Sequence, residues 1–175
     1  MSAGKGFSIA GGVLILIATY ALAWYTLDVG GTTYLAYGVN GIGGLANMFV
    51  HPEAYGTAVG MEPAVTFVFA GIFIWFLVSG VLALIGGKVR GFSFAGAVMP
   101  IVIATIIILA PYGGPTTIPM DYITVFESPI YLVTNIIPFT IQIGSVQLSI
   151  GLYVLLLGGF FTLISGFMKR KKNKK

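Results

Sequence analysis

The side chains that could do chemistry are few, and they lie close together in the chain. His51 and Glu53 flank Pro52, and Glu62 follows nine residues after Glu53. An imidazole and two carboxylates can act as an acid–base pair or bind a metal ion. A solvated loop whose polar side chains face water explains the same residues, and we favour that interpretation. The sequence therefore predicts no catalytic, cofactor-binding or metal site.

The usual sequence signatures of enzymes and cofactor sites are also missing. The chain has no cysteine, which excludes disulfides, thiolate metal sites and cysteine nucleophiles. It contains no G-x-x-x-x-G-K, H-E-x-x-H or G-x-S-x-G pattern. The glycine-rich segment 38–44 has no basic residue directly after it, so nucleotide binding is not expected. We expect a protein that is not an enzyme and needs no cofactor.

The composition indicates that lipid, and not water, surrounds much of the folded chain. Of the 175 residues, 57% are hydrophobic and only 8% are charged. A soluble domain has about 25% charged residues. With so few charges, a globule of this sequence could not cover its surface with polar groups. We therefore expect a membrane protein.

Four apolar runs predict four transmembrane helices, at residues 7–27, 64–85, 92–110 and 146–167. At about 1.5 Å per residue, the first run reaches roughly 31 Å, which matches a hydrocarbon core of about 30 Å. None of the runs contains Asp, Glu, Lys, Arg or His. An ionisable residue in a span commonly marks an ion path or a proton relay, so ion-coupled transport is not expected. The predicted fold is an all-α membrane bundle in a single domain, 1–175.

The charges predict the orientation of the bundle. All nine Lys and Arg residues fall on one side of the predicted membrane, at Lys5, at Lys88 and Arg90, and in the tail 168–175. The positive-inside rule assigns this side to the cytoplasm. His51 and the five acidic residues fall on the other side: Asp28, Glu53, Glu62, Asp121 and Glu127. We expect a multi-pass protein of the cell membrane with both termini in the cytoplasm and two outside loops, 28–63 and 111–145.

The first span has a second interpretation. Lys5, the apolar stretch after it and Ala21-Leu22-Ala23 resemble a secretory signal with an A-x-A cleavage site. The stretch is long for that role, and Trp24-Tyr25 is typical of an aromatic anchor at the membrane interface. We favour a retained span. Cleavage would leave the orientation of the other three spans unchanged.

Small residues predict where the helices pack. They recur every seven residues at Gly4, Gly11 and Ala18 and at Gly144, Gly151, Gly158 and Ser165, with Gly159 and Gly166 one position over. In lipid, close approach at small residues supplies much of the energy of helix association. The stripe is either the internal seam of the bundle or a self-association face, and we favour the seam.

Other residues of the spans are interpreted as structural. The short link 86–91 makes the second and third spans antiparallel neighbours. Pro100 could be a hinge, and we favour a static bend. Neutral polar residues in the spans are expected to form no cluster beyond the needs of helix packing: Thr19, Tyr20, Thr66, Ser79, Thr105 and Thr162.

The outside loops predict a small β-rich extracellular cap. Segments 32–37, 122–126 and 140–143 have the alternating, β-branched and aromatic character of strands. Both loops are apolar and have few charges, so disorder is not expected. The predicted cap rests on the helical bundle.

This layout resembles that of claudin-like tetraspan proteins. The shared features are four spans with cytoplasmic ends, a large first outside loop, a short inner turn and a β-rich cap. Trp24 lies about where those proteins have an early tryptophan. The Gly-Leu-Trp motif and its paired cysteines are absent, and the only other tryptophan is Trp75. The resemblance therefore implies an architecture and assigns no functional residue.

Two classes of function remain. The first is a non-enzymatic membrane interaction protein: an accessory subunit, a scaffold or an adhesion module. The alternative is a channel or permease subunit for small neutral solutes, built by oligomers around the glycine-rich helices. Expected partners are anionic lipids at the basic tail and either further copies of the chain or a larger membrane complex. Nucleic acid is not expected as a partner.

Overall fold

The computed structural model describes residues 2–29, 32–38, 41–54, 62–109, 127–128, 140–143 and 146–168. Its helices in these ranges are α1 (Ala3–Tyr20), α2 (Gly41–Val50), α3 (Pro63–Gly86), α4 (Arg90–Leu109) and α5 (Ile150–Phe167). Its strands are β1 (Ala23–Val29), β2 (Thr32–Tyr37), β3 (Glu127–Ser128), β4 (Thr140–Ile143) and β5 (Val146–Ser149). The described chain is mostly helical, as predicted.

Four of the helices, α1, α3, α4 and α5, are each long and apolar enough to cross a membrane. They carry the four predicted spans, so the number of spans is confirmed at the level of helix length and composition. The bounds of α3 and α4 agree with the predicted spans 64–85 and 92–110 to within two residues.

The other two predicted spans, 7–27 and 146–167, are too long at the same end of the bundle. α1 already ends at Tyr20, and α5 begins only at Ile150. The apolar residues between these helix ends and the predicted bounds form β1 and β5 instead. Hydropathy alone cannot separate the two structures, because a buried strand and a membrane helix are both uncharged and apolar.

The chain leaves α1 through a tight last turn. The backbone amides of Ala21 and Leu22 both donate to the carbonyl of Ile17, at 2.9 and 3.1 Å. Such shared bonds satisfy carbonyl groups that have no partner within the helix. The strand β1 then begins at Ala23, only three residues after the helix ends.

Trp24 fixes the junction between α1 and the sheet. Its indole Nε1 donates to the carbonyl of Ala18 in the last turn of α1, at 2.7 Å. The Trp24 side chain is fully buried, and Tyr25 is nearly so. The prediction that these two residues anchor the protein at the membrane interface is therefore wrong, because both pack inside the protein.

The strands form one small sheet in the order β3-β2-β1-β5-β4. Its longest ladder is the antiparallel pair β1–β2, which runs from Val29↔Thr32 to Ala23↔Tyr37. β5 pairs with the other edge of β1, and β4 and β3 are short additions at the two ends. The predicted strands 32–37 and 140–143 are confirmed, and the predicted strand 122–126 lies outside the described residues.

The four long helices form a ring in which each helix packs against two neighbours, in the order α1, α3, α4, α5. The backbones of α1 and α5 lie close together at Gly11, as those of α3 and α4 do at Gly96. A Cβ atom on Gly11 would lie 2.7 Å from the Gly158 carbonyl oxygen and 2.8 Å from the Thr162 nitrogen. The other three contacts also have glycines without room for a Cβ: Gly12, Gly80, Gly96, Gly159 and Gly166.

These contacts confirm the small-residue stripe as an internal seam. All its described members are buried: Gly4, Gly11, Ala18, Gly151, Gly158, Gly159, Ser165 and Gly166. Gly144 lies outside the described residues. Pro100 is also buried, and α4 continues through it from Arg90 to Leu109. Burial on this scale supports the static interpretation of Pro100.

The helices turn apolar side chains outward as well as inward. Large exposed apolar residues are found on each of the four long helices, among them Ile17, Val78, Val102 and Leu157. A helix in water presents a polar face opposite its buried one, whereas a membrane helix is apolar all round. The outer surface of the ring is therefore suited to lipid.

The charges of the described residues are segregated along the bundle. Lys5, Lys88 and Arg90 lie at the end where α1 and α4 begin and α3 ends. This end is called the basic end below. The described acidic residues belong to the opposite end, called the sheet end: Asp28, Glu53, Glu62 and Glu127. The tail 169–175 lies outside the described residues.

Candidate functional site

Three serine side chains meet inside the basic end of the bundle. Ser8 comes from α1, Ser93 from α4 and Ser165 from α5, and all three are fully buried. The Ser93 hydroxyl lies 3.3 Å from that of Ser8 and 3.4 Å from that of Ser165. These three residues are called the serine cluster below.

Each hydroxyl of the serine cluster also donates to a backbone carbonyl. Ser8 bonds to Ala83 at 2.6 Å, Ser93 to Gly86 at 3.1 Å, and Ser165 to Gly4 at 2.7 Å. The carbonyls of Ala83 and Gly86 belong to the end of α3 and that of Gly4 to the start of α1. The cluster thus joins all four helices of the ring through three side chains.

The hydrogen bonds of the serine cluster hold the four helices together and do not activate a nucleophile. A serine becomes a nucleophile only with a neighbouring base that takes its proton. Here the hydroxyls donate to backbone carbonyls, which are not such bases, and each net hydrogen bond contributes about 1 kcal/mol to stability. This role is one of helix packing, which the expectation for polar residues in the spans allows, and the cluster contains none of the six residues that the expectation named. Thr162, one of those residues, bonds only locally in the described structure, to the carbonyl of Gly158 at 2.8 Å.

Arg90 makes a further contact between helices at the basic end. Its Nε donates to the carbonyl of Gly166, in the last turn of α5, at 2.8 Å. A cation near the carbonyl end of a helix is favoured by the helix dipole. Arg90 therefore ties the start of α4 to the end of α5 just beyond the serine cluster.

Another buried hydroxyl lies near the proline of α4. Ser79 Oγ has no hydrogen-bond partner among the described residues, and the Ser79 backbone oxygen is 2.7 Å from where a Cβ of Gly96 would be. Gly96 is four residues before Pro100, and proline has no N–H to donate to the Gly96 carbonyl. Ser79 and Gly96 thus belong to the same contact between α3 and α4. Two further buried hydroxyls without a described partner belong to Thr19 and Thr66.

Large apolar side chains fill most of the sheet half of the interior, beside the buried hydroxyls of Thr19 and Thr66. The Trp24 ring meets the Phe76 ring edge-on, with centroids 5.4 Å apart. Ile15, Leu152 and Leu155 fill the space between the helices at this level, and each is almost completely buried. The bundle axis is therefore occupied by large apolar side chains above the serine cluster.

The three residues that could bind a metal or act as an acid–base pair lie at the surface. His51 and Glu53 follow α2 and are exposed, and Glu62 is the exposed residue before α3. The described residues contain no group of three or more His, Cys, Asp or Glu side chains that could hold a metal ion. The exposure of His51, Glu53 and Glu62 fits solvated side chains.

Sequence reasoning missed the serine cluster because its members are far apart in the chain. One signal could have found them. Ser8 follows Lys5 by three residues, Ser93 follows Arg90 by three, and Ser165 precedes Lys169 by four. In an antiparallel bundle with all basic residues at one end, equal distances from the basic flank place side chains at the same depth.

Fold and geometry define a four-helix bundle with a small sheet, compatible with a multi-pass membrane protein. Comparison of the chain with models of protein families, with curated proteins and with solved structures gives no significant match. The family resemblance from span number and loop layout thus remains one of architecture.

Proposed function

We propose that this chain is a non-enzymatic, multi-pass protein of the cell membrane that acts by binding other membrane chains, as an accessory subunit, a scaffold or an adhesion module. The observation that carries the proposal is the closed interior of the four-helix ring. A closed interior, in spans whose only Lys or Arg residues lie at their basic ends, favours a protein that acts through its surface.

Two layers close the interior. At the basic end, the serine cluster and the glycine contacts draw all four helices together, and a Cβ on Gly11 or Gly96 would already collide with backbone atoms. At the sheet end, Phe76, Leu152 and Leu155 occupy the axis. Solute passage along this axis would require the helices to separate. A pore would therefore have to run between chains, which is the form of the channel alternative that the geometry leaves open.

The small sheet offers an edge for docking. β4 is the last strand of the sheet order and pairs with β5 through Thr140↔Ser149 to Ile143↔Val146. Its other edge faces none of the strands that the structure describes. A strand edge presents backbone N–H and C=O groups, and an extended segment of another chain can pair with them. We propose that β4 receives such a segment from a partner protein.

The proposed topology follows from the charges. The basic end lies in the cytoplasm under the positive-inside rule, so the sheet forms an extracellular cap of the kind found in claudin-like proteins. The basic tail binds anionic lipids, with on the order of 1 kcal/mol for each Lys or Arg near the membrane surface. Docking of partners then takes place outside the cell, and the lipid contact lies inside.

The test is purification of the chain from native membranes in a mild detergent, followed by native mass spectrometry. The proposal predicts a stoichiometric complex with a second kind of chain. A strictly monomeric protein, with no associated chain under any mild detergent, would contradict it. A homo-oligomer alone would favour the channel alternative, and flux of small neutral solutes into liposomes that contain the purified protein would then support a pore between chains.

A further inference from the structure

The sheet end of the protein has a helix that sequence reasoning did not predict. α2 runs over Gly41–Val50, within the segment expected to be an outside loop. Its 10 residues extend about 15 Å, half of the hydrocarbon thickness, so α2 cannot cross a membrane. No residue of α2 is charged. The helix instead packs on the outside of the bundle, against α3.

One face of α2 is covered by protein and the other is apolar and open. Met48 is only 4% exposed, whereas Ile42, Phe49 and Val50 are 46%, 49% and 67% exposed. With about 100° between successive residues of a helix, Ile42, Ala46, Phe49 and Val50 share an arc of about 100°. An uncharged apolar arc of this size is not expected to face water.

The open face of α2 continues into the outer surface of a span. The Phe49 ring contacts the Phe67 ring of α3, with centroids 5.9 Å apart. Phe67 and Val68 are themselves 45% and 62% exposed. They belong to the candidate span Ala64–Gly86, whose exposed side chains are suited to lipid.

The depth of this contact fits the boundary between headgroups and acyl chains. Phe67 lies three residues inside the candidate span that begins at Ala64, or about 4.5 Å along the helix axis. Interfacial helices bury their apolar faces about 5–10 Å into this boundary. The exposed residues His51 and Glu53 follow α2 directly and would lie on the water side of the headgroups.

We propose that α2 is an interfacial helix, and that the surface formed by Ile42, Ala46, Phe49 and Val50 binds the acyl chains of lipids in the leaflet at the sheet end. This surface is called the α2 lipid face below. Lipid fits better than a second protein because the face is continuous with the apolar surface of α3. The inference does not depend on the proposed partner at β4.

The absence of cysteine makes a direct test possible, because a single introduced cysteine can be labelled without background. We would attach a nitroxide to Ile42→Cys, Ala46→Cys or Val50→Cys in phosphatidylcholine vesicles and compare the accessibility of each label to oxygen and to a water-soluble nickel chelate. Val102→Cys, on the outer surface of α4, is the lipid control, and Glu53→Cys is the water control. All five native side chains are exposed, so the substitutions do not disturb buried packing.

The proposal predicts that the three α2 labels prefer oxygen, with accessibility ratios shifted from that of the label at position 53 toward that at position 102. Preference for the nickel chelate would overturn the proposal in favour of a water-exposed helix. Protection from both reagents would overturn it in favour of protein cover, and spin–spin broadening would identify the cover as a second copy. A fluorophore at position 50 gives an independent measurement, since lipids with brominated acyl chains should quench it.

Discussion

The seam between α1 and α5 makes a sharp prediction for Gly11→Ala. The new Cβ would lie 2.7 Å from the Gly158 carbonyl oxygen, whereas ordinary contacts of a Cβ begin at 3.4 Å. The shortfall is 0.7 Å, and the Thr162 hydroxyl is closer still. Rotation of Thr162 could remove only the hydroxyl contact, because the Gly158 oxygen and the Thr162 nitrogen belong to the backbone of α5. The two helices must therefore move apart, and overpacking of this kind costs about 1–3 kcal/mol.

The chain contains a matched control for this substitution. Gly71 is also a helical glycine in a span, but a Cβ there meets no described heavy atom within 4 Å. Gly71→Ala should leave the free energy of unfolding unchanged, or raise it by up to about 1 kcal/mol through helix propensity. Gly158→Ala should fall in between, because its nearest contact is 3.0 Å.

The assay is unfolding of the purified protein by SDS in mixed micelles, followed by tryptophan fluorescence, to which Trp24 and Trp75 both contribute. The expected order of stability is Gly71→Ala, then Gly158→Ala, then Gly11→Ala as the least stable. Equal stability of Gly11→Ala and Gly71→Ala, whether or not both are less stable than the unmodified protein, would refute the seam as the structure places it.

Three further predictions follow from single contacts. Ser93→Ala should lower the free energy of unfolding by about 1 kcal/mol, because it removes the central hydroxyl of the serine cluster. Ser79→Ala should leave the free energy of unfolding unchanged or raise it, because Ser79 Oγ has no described partner. The SDS titration compares the two variants. Trp24→Phe removes the bond to Ala18 and part of the ring, so a loss of about 1–3 kcal/mol is expected in thermal unfolding. In right-side-out membrane vesicles, Lys88→Cys should react with an impermeant thiol reagent only after the membrane is opened, and reaction in sealed vesicles would reverse the proposed orientation.

The sequence predicts the helices best where apolar length and charge act together. α3 and α4 are bounded by Pro63 and by the basic link with Lys88 and Arg90, and their predicted ends are correct to within two residues. Proline at the start of a helix and charges at the membrane edge are local signals. At the sheet end no such signal separates α1 from β1, because residues 7–27 are continuously uncharged.

α2 was missed for a different physical reason. Three of its first four residues are glycines, at positions 41, 43 and 44, and each lowers the intrinsic helix propensity by about 1 kcal/mol relative to alanine. In proteins, most helix stability comes from tertiary packing and not from propensity. The packing of α2 on α3, where Phe49 meets the Phe67 ring, supplies that contribution, and local sequence gives no information about it.

Patterns of residue types in the sequence predict some of the buried contacts and not others. The seven-residue repeat predicts the seam correctly, because small residues recur within each of the two helices and Gly11 and Gly158 belong to these repeats. The serine cluster has no such repeat, because its three members come from different helices and meet only after the ring closes. Trp24 looked like an interface anchor for the same reason: its partner Phe76 is 52 residues away in the chain.

The most direct test of the central claim, that this protein acts by docking other chains at its surface, is cross-linking from β4 in native membranes. Gln142→Cys carrying a photoreactive group should give one discrete adduct with another protein. Val102→Cys, on the exposed apolar surface of α4, should give lipid adducts. Protein adducts at position 102 but none at any position of Thr140–Ile143 would contradict the claim.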